Sequence, residues 1–307
     1  MYRNLIVIAL AVVVFVALPF VLPSYYVGLT TKILIFALFA MSLDLLIGYT
    51  GLASLGHAAF FGVSAYTIGV LSVKLRMSEW IAFPAGLAMA TALGALFALL
   101  ALRARGSYLL MITLALAQVV WGIAFGWRTV TGGDDGLPGL RRPAFITDET
   151  SFYFFVLALV AASALVLVAL IRSPFGLALQ GIRESESRMQ ALGFNVWRHQ
   201  FAAFVIAAAF AGLAGALYVY YNRFVSPDFL HVVRSAEVLI MVIIGGVGTL
   251  LGPAIGAAAI ILLEDIISSQ TQHWLLALGI IYVVTTLFAP RGLIGLYRER
   301  FKRGRKS

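Results

Sequence analysis

The chain has 307 residues, 62% of them hydrophobic and only 11% charged, with a formal net charge of +9 and no cysteine. Soluble domains carry about 25% charged residues, so the composition excludes a soluble globular protein, and the missing cysteines exclude disulfides and thiolate metal sites. The positive residues lie in short loops between long apolar runs, where they set membrane orientation; they do not form a nucleic-acid footprint. The runs are continuous, unlike the short alternating segments of a transmembrane barrel. The expected class is therefore all-α: a polytopic helical membrane bundle with a single transmembrane domain over residues 1–307.

A span needs about 20 apolar residues to cross a hydrocarbon core of ~30 Å. About ten stretches qualify, within a range of eight to ten: 5–22, 29–48, 57–75, 80–102, 107–127, 151–171, 200–221, 235–251, 253–269 and 273–290. The first follows Arg3 and runs to Leu22 without a small-residue cleavage site, so it is expected to be a span and not a removed signal. The second and third are parted only by residues 48–56, and the eighth and ninth only by Gly252 and Pro253. An even number of spans puts both termini on one side. With both termini cytoplasmic, the inner side holds 14 Lys and Arg and the outer side 8, in accord with the positive-inside rule. The basic tail YRERFKRGRKS suits lipid headgroups.

Two Gly-rich stretches interrupt apolar segments, GLASLG at 51–56 and GVGTLLG at 246–252. Such interruptions either let helices pack closely or break a helix where it lines a cavity. Gly51, Ser54, Gly56, Gly246, Gly248 and Gly252 are therefore candidates for the substrate route, with plain packing as the alternative. Asp44 and His57 flank the first stretch and join the candidates. An ionisable group in a span costs roughly 2.5–3.5 kcal/mol on insertion scales, so each needs a reason to be there. For these two the alternative reason is interhelical hydrogen bonding. Glu237 is expected to pair with Arg234 on the same helix face, and Glu264 and Asp265 to lie near headgroup depth.

The longest polar interruption is 172–198, with four arginines and two glutamates. Pro174 suits a first helical turn, and 182–193 reads as a short amphipathic helix. Ile182, Met189 and Leu192 can share one face, with Arg183, Glu184, Glu186 and Arg188 over the rest, and Gly193 supplies the stop. A turn-around needs only a few residues. This one is long enough to be a surface where a partner docks, or a helix lying on the membrane.

Enzyme chemistry finds little support. There is no HExxH, and the histidines at 57, 199, 231 and 273 are far apart in sequence. Ser54 with His57 three residues on does not make a hydrolase site, and GGDDG at 132–136 falls in an outer loop. No lysine follows a glycine, so the chain has no P-loop and cannot hold ATP phosphates that way. A self-sufficient ion-coupled carrier could use Asp44, Glu237 or the Glu264/Asp265 pair, but it has no clear use for 172–198.

Five stretches in order carry a resemblance over nearly the whole chain: SLDLLIGYTGLASLGHAAFFGVSAY (42–66), TVTGGDDGLPGL (129–140), SPFGLALQGIRESESRMQALGFNVWRHQFAAFVIAAAFAGLAGALY (173–218), IGGVGTLLGPAIGA (244–257) and FAPRGLIGL (288–296). The chain resembles the bacterial inner-membrane permease subunits of branched-chain amino acid ABC importers, the LivM type. The resemblance implies that 182–193 is the coupling helix, seated in a cleft of an ATP-hydrolysing subunit through Arg183, Glu184, Glu186, Arg188, Met189, Leu192 and Gly193. It also implies two ATPase subunits that hold the ATP and Mg, a second permease of LivH type, and a periplasmic substrate-binding protein on the outer surface. No cofactor is expected in this chain itself. The family commonly has Asn where this chain has Asp44, and often Gln where it has Leu52. Relatives of the family are also associated with urea, short amides and aromatic acids.

Overall fold

The computed structural model describes residues 15–143, 146–270, 276, 279 and 280. Residues 5–14 of the expected first span, most of the expected tenth span and the basic tail lie outside the described residues.

The described chain is helical, with one short β-ribbon. α1 covers Ser24–Asp44, starts directly after Pro23 and runs on as a wider π-helical turn over Leu45–Thr50. α2 covers His57–Gly69, followed by a second wide turn over Val70–Lys74. α3 is Glu79–Ala101, α4 Ser107–Gly126 and α5 Glu149–Arg172. α6 (Pro174–Glu184) and α7 (Glu186–Ala191) form the polar interruption. α8 is Val196–Asn222, α9 Val232–Gly245 and α10 Leu251–Gln270. Between the longer helices, β1 (Leu137–Pro138) pairs antiparallel with β2 (Phe224–Val225), with Leu137 opposite Val225.

Among the described residues, six helices are long and apolar enough to cross a membrane: Ser24–Thr50, Glu79–Ala101, Ser107–Gly126, Glu149–Arg172, Val196–Asn222 and Leu251–Gln270. The expected spans at 57–75 and 235–251 are helical but shorter than read. α2 widens after Gly69, and α9 stops at Gly245 with 14 residues, about 21 Å at 1.5 Å per residue.

Burial separates the axis of the bundle from its rim. In α1, 89% of the apolar window is buried, against 22% in α4 and in α5. A helix apolar all round and buried all round is a bundle core. α5, α8, α9 and α10 all pack against α1. The rim helices expose Met111, Val119 and Ile123 on α4 and Leu165 and Val166 on α5. In lipid such exposure costs nothing, so apolarity cannot drive helix association there; close backbone packing must. α8 supplies it with Gly212 against the Ala90 methyl of α3 and Gly215 against the Phe61 carbonyl of α2, while Gly94 of α3 faces Ala208.

Polar contacts sort the loops onto two ends. One end gathers 44–56, 102–107, 172–200 and 246–251. At the other, Lys32 pairs with Glu264 at 3.1 Å, Tyr25 donates to Asp265, and Tyr220 and Ser72 both donate to Glu79. There Arg142 donates through Nε to the Tyr220 carbonyl at 3.2 Å and lies 4.1 Å over the Phe152 ring. Burial and the neighbouring Arg223 guanidinium hold Arg142 below the usual arginine value.

Gly215→Leu is expected to abolish the α8–α2 contact and sharply reduce the yield of monodisperse protein, since overpacking costs about 1–3 kcal/mol or more. Gly122→Leu, where an added side chain meets open space, should leave yield and melting temperature unchanged. Size-exclusion profiles and thermal unfolding in mild detergent compare the two.

Candidate functional site: two helix breaks and the segment against them

The first break begins where α1 widens into the π-helical turn. Gly51 takes a left-handed φ of +77°, and the Leu52 N–H closes back onto the Leu46 carbonyl at 2.9 Å. The chain then runs without regular structure, bending at Leu55, to His57, where α2 begins. The second break is Gly246–Leu250, between α9 and α10, with Gly246 at φ +115°, Gly248 at +76° and Leu250 at +57°. Backbone of this kind exposes N–H and C=O groups that hydrocarbon cannot satisfy, and each orphan costs several kcal/mol. The breaks solve this jointly.

Asp44 is fully buried. Its Oδ1 accepts from the Gly248 N–H at 2.7 Å and its Oδ2 from the Leu250 N–H at 3.0 Å. One carboxylate on α1 thus holds two free donors of the second break, a charge-assisted arrangement stronger than a neutral pair. Thr249 adds the local cap: its hydroxyl donates to the Gly246 carbonyl at 2.7 Å and accepts from the Gly252 N–H at 3.1 Å. The two breaks touch directly. A side chain at Gly48 would overlap Asp44 and the Gly248 backbone, and one at Gly248 would stand 3.1 Å from the Gly48 carbonyl.

Arg183 of α6 completes the cluster. Its Nη1 donates to the Gly48 carbonyl, and its stem passes against Gly51. The same guanidinium interacts electrostatically with Asp44. The polar segment is thereby joined to both breaks through one side chain.

That segment differs from the expected single helix over 182–193. α6 begins at Pro174, capped by the Ser173 hydroxyl accepting from the Gly176 N–H at 3.4 Å. It ends at Ser185, which is extended (φ −164°) and caps the start of α7 by accepting from the Arg188 N–H. The capping serine breaks the helix because its side chain competes for the N–H groups that continuation would need. Gly193 stops α7 as expected, at φ +85°, with the Phe194 N–H on the Met189 carbonyl at 3.0 Å. Ile182 and Met189 are buried with Ala178 and Val196, but Leu192 is 72% exposed and does not share their face.

The expected docking set therefore divides. Met189 is buried, while Arg183 is exposed as a residue and lays its guanidinium on the Gly48 carbonyl. Glu186 accepts from Gln200 at 2.9 Å and pairs with Arg105 at 3.3 Å. Glu184, Arg188, Leu192 and Gly193 are exposed. A cavity of about 410 Å³ lies behind the segment, lined by Gly51, Arg105, Glu186, Gln190, Trp197 and Gln200 among others.

The other sequence candidates fall beside the first break. Ser54 is buried and accepts from the Gly56 N–H at 3.2 Å, while Gly56 packs on the Thr113 carbonyl. His57 is fully buried, stacked on Phe39, and pairs with Ser42, not with Ser54. The Ser42 hydroxyl donates to the Phe39 carbonyl, so His57 donates through Nε2 at 2.8 Å and keeps its proton there. The start of α2 is tied to α9 by the Ala58 N–H on the Ser235 hydroxyl at 2.9 Å. Glu237 pairs with Arg234 at 2.7 Å, as read from their spacing. Ser42, Thr113, Ser235, Arg105 and Gln200 were not marked by sequence. Hydroxyl residues in apolar runs are too common to stand out there.

Asp44→Ala should leave the Gly248 and Leu250 donors unpaired. An unpaired buried donor costs about 1–3 kcal/mol, so the melting temperature should fall clearly. Asp44→Asn, which keeps one acceptor, should fall between Ala and the parent. Thermal unfolding of the three proteins in the same detergent measures the order.

The comparisons with known proteins agree with this layout. A family model described as the permease component of the branched-chain amino acid transport system matches residues 25–289. The high-affinity branched-chain amino acid transport system permease protein LivM of Escherichia coli (strain K12) is 29% identical over 98% of this chain and 77% of its own length. A probable branched-chain amino acid transport permease protein LivM of Methanocaldococcus jannaschii is 25% identical over 75% of this chain and 67% of its own. A probable LivH permease protein of the same organism is 22% identical over 87% of this chain and 90% of its own. No solved structure matches. With the family model spanning both breaks and the segment between them, the chain belongs to the family of permease components of branched-chain amino acid transport systems.

Proposed function

We propose that the chain is a membrane-spanning subunit of an ATP-driven importer for branched-chain amino acids in the bacterial inner membrane. Two ATPase subunits hold ATP and Mg, a second permease of LivH type pairs with this chain, and a periplasmic binding protein delivers the substrate. The chain itself supplies the pathway wall and the coupling surface. The observation that carries the reading is the α6–α7 segment. It is rigidly capped, keeled into the bundle by Ile182 and Met189, and presents Glu184, Arg188 and Leu192 outward.

The end that bears α6 and α7 is the cytoplasmic one in this reading, since the Lys and Arg tally of the sequence with both termini inside puts 172–198 on the inner side. ATP-driven closure of the ATPases would move the segment, and the helices joined to it would tilt so that the pathway changes the face to which it opens. Selectivity would rest mainly on the binding protein.

The carrier alternative draws on the carboxylates of the bundle, and each of these has a partner within the chain. Asp44 holds two backbone N–H groups, Glu237 pairs with Arg234, Glu264 with Lys32 and Asp265 with Tyr25. No specific observation favours that alternative.

Affinity purification of the tagged chain from its native membrane in mild detergent should bring down two copies of an ATPase and a second permease. A chain that emerges alone and folded would refute the importer reading. Within the assembled importer, the double charge reversal Glu184→Lys with Arg188→Glu should lower substrate-stimulated ATP hydrolysis about fivefold or more while leaving the chain folded. Unchanged stimulation would remove both residues from the docking surface.

A further inference from the structure

The outward residues of α6 and α7 account for docking, but they do not explain how a movement of the segment enters the membrane. The connection has to be rigid at one end and compliant at the other. α6 is rigid, with Leu179 and Ile182 buried without measurable exposure above 1% and a hydrogen-bonded cap at Ser173. The two breaks are the compliant elements. One is a π-helical turn, a form frequent at functional sites, and the other holds three residues at positive φ.

From this geometry we infer that Arg183 is the positioning residue that carries movement of the coupling segment into both breaks at once, resting on the importer reading above. Its guanidinium reaches the Gly48 carbonyl at the end of the π-helical turn and lies against Gly248. Gly48 lies so close to the Gly248 backbone that it cannot carry a side chain, and Gly248 sits at φ +76° with the Gly48 carbonyl and the Arg183 guanidinium beside it. Asp44 locks the Gly248–Leu250 backbone to α1. A displacement of Arg183 therefore cannot shift one break and leave the other. The helices on the far sides of the breaks, α2 and α10, are the ones that would turn. The remaining polar links of the segment, Glu186 to Arg105 and to Gln200, lead to the loop before α4 and to α8 and do not touch either break, while α6 itself also packs against the π-helical turn.

This assigns Arg183 a role different from docking. Arg183→Gln keeps a donor and much of the stem but removes the charge facing Asp44. Arg183→Lys keeps donor and charge. The test uses the complete importer purified through this chain, reconstituted in liposomes with its binding protein, with radiolabelled leucine as the probe. In Arg183→Gln the ATPase subunits should still co-purify and basal hydrolysis should persist, while leucine transported per ATP falls about fivefold or more. Arg183→Lys should restore most of that ratio. A merely structural role would lower assembly and leave the ratio per assembled complex intact, and that result overturns the proposal. So does an unchanged ratio in Arg183→Gln.

A second measurement does not depend on that variant folding. The chain has no cysteine, so paired cysteines at Ser187 on α7 and Val247 in the second break, both exposed, can carry spin labels in the otherwise unsubstituted protein. ATP should shift the environment of both labels over the same nucleotide concentrations. A Ser187 label that responds while Val247 stays fixed would overturn the proposal. Loss of the ATPase from the purified complex would instead refute the importer reading itself, and the proposal with it.

Discussion

A broken helix in hydrocarbon must find partners for its own backbone, and Asp44 is where this chain meets that demand. Two N–H groups of the Gly246–Leu250 break end on its carboxylate. The cost of a buried charge is offset in part by those donors and by the Arg183 guanidinium nearby. Much else follows from this one arrangement. Gly48 has to be glycine because the carboxylate and the Gly248 backbone fill the space of a side chain, and Gly248 because its φ of +76° is left-handed. α1 has to be the axis, since only a helix buried on every side can bring a charge to that depth with protein all round it. The polar segment has to lie at this end, since Arg183 must reach the same point.

Small residues do for the helices what Asp44 does for the breaks. Lipid gives no reward for covering apolar surface, so α2, α3 and α8 gain their contact from backbone proximity. Gly212 and Gly215 of α8 admit Ala90 and the Phe61 carbonyl, and rings fill what remains, with Phe61 tilted against Phe39 at 4.7 Å and Tyr218 edge-on to Phe36 at 5.4 Å. The result is a bundle whose middle is tightly specified and whose rim is plain hydrocarbon.

Much of this was legible in the sequence, and the limits have physical causes. The longer spans could be read because about 20 apolar residues in a row have few other uses. α9 was read too long, because Ile243 and Ile244 run straight into Gly245 with no change of polarity to mark the end. The polar segment was found, and Pro174 and Gly193 gave its limits. Its break at Ser185 was missed: a serine among ESES looks like any polar position until its hydroxyl is seen accepting from the Arg188 N–H. Asp44 was singled out as a charge that needed a reason, but its partners are 204 and 206 residues away. No local pattern reports a contact of that kind. Arg183 is exposed like Glu184 and Arg188, as expected, but a helix wheel cannot say that its guanidinium also finds a carbonyl beneath it.

The meeting of the two breaks also bears on how such a bundle can move. α1 and α9 each end at the same end of the molecule, each is followed by a glycine-marked interruption, and each then gives way to a helix of the core, α2 or α10. The two units are alike in plan but not in chemistry. The first satisfies part of its backbone through the wide turn and Thr50, whose hydroxyl donates to the Leu45 carbonyl at 2.8 Å, and takes further partners from Arg183, Thr113 and Ser235. The second depends on Asp44, which belongs to the first. The second break is thus held by the first, and it can reorganise only if Asp44 moves with it or gives up its hydrogen bonds. Releasing two charge-assisted bonds in a buried site is far costlier than bending a π-helical turn. Motion at this end is therefore constrained to be concerted, with α1 and α9 keeping their junction while α2 and α10 change their angle to it.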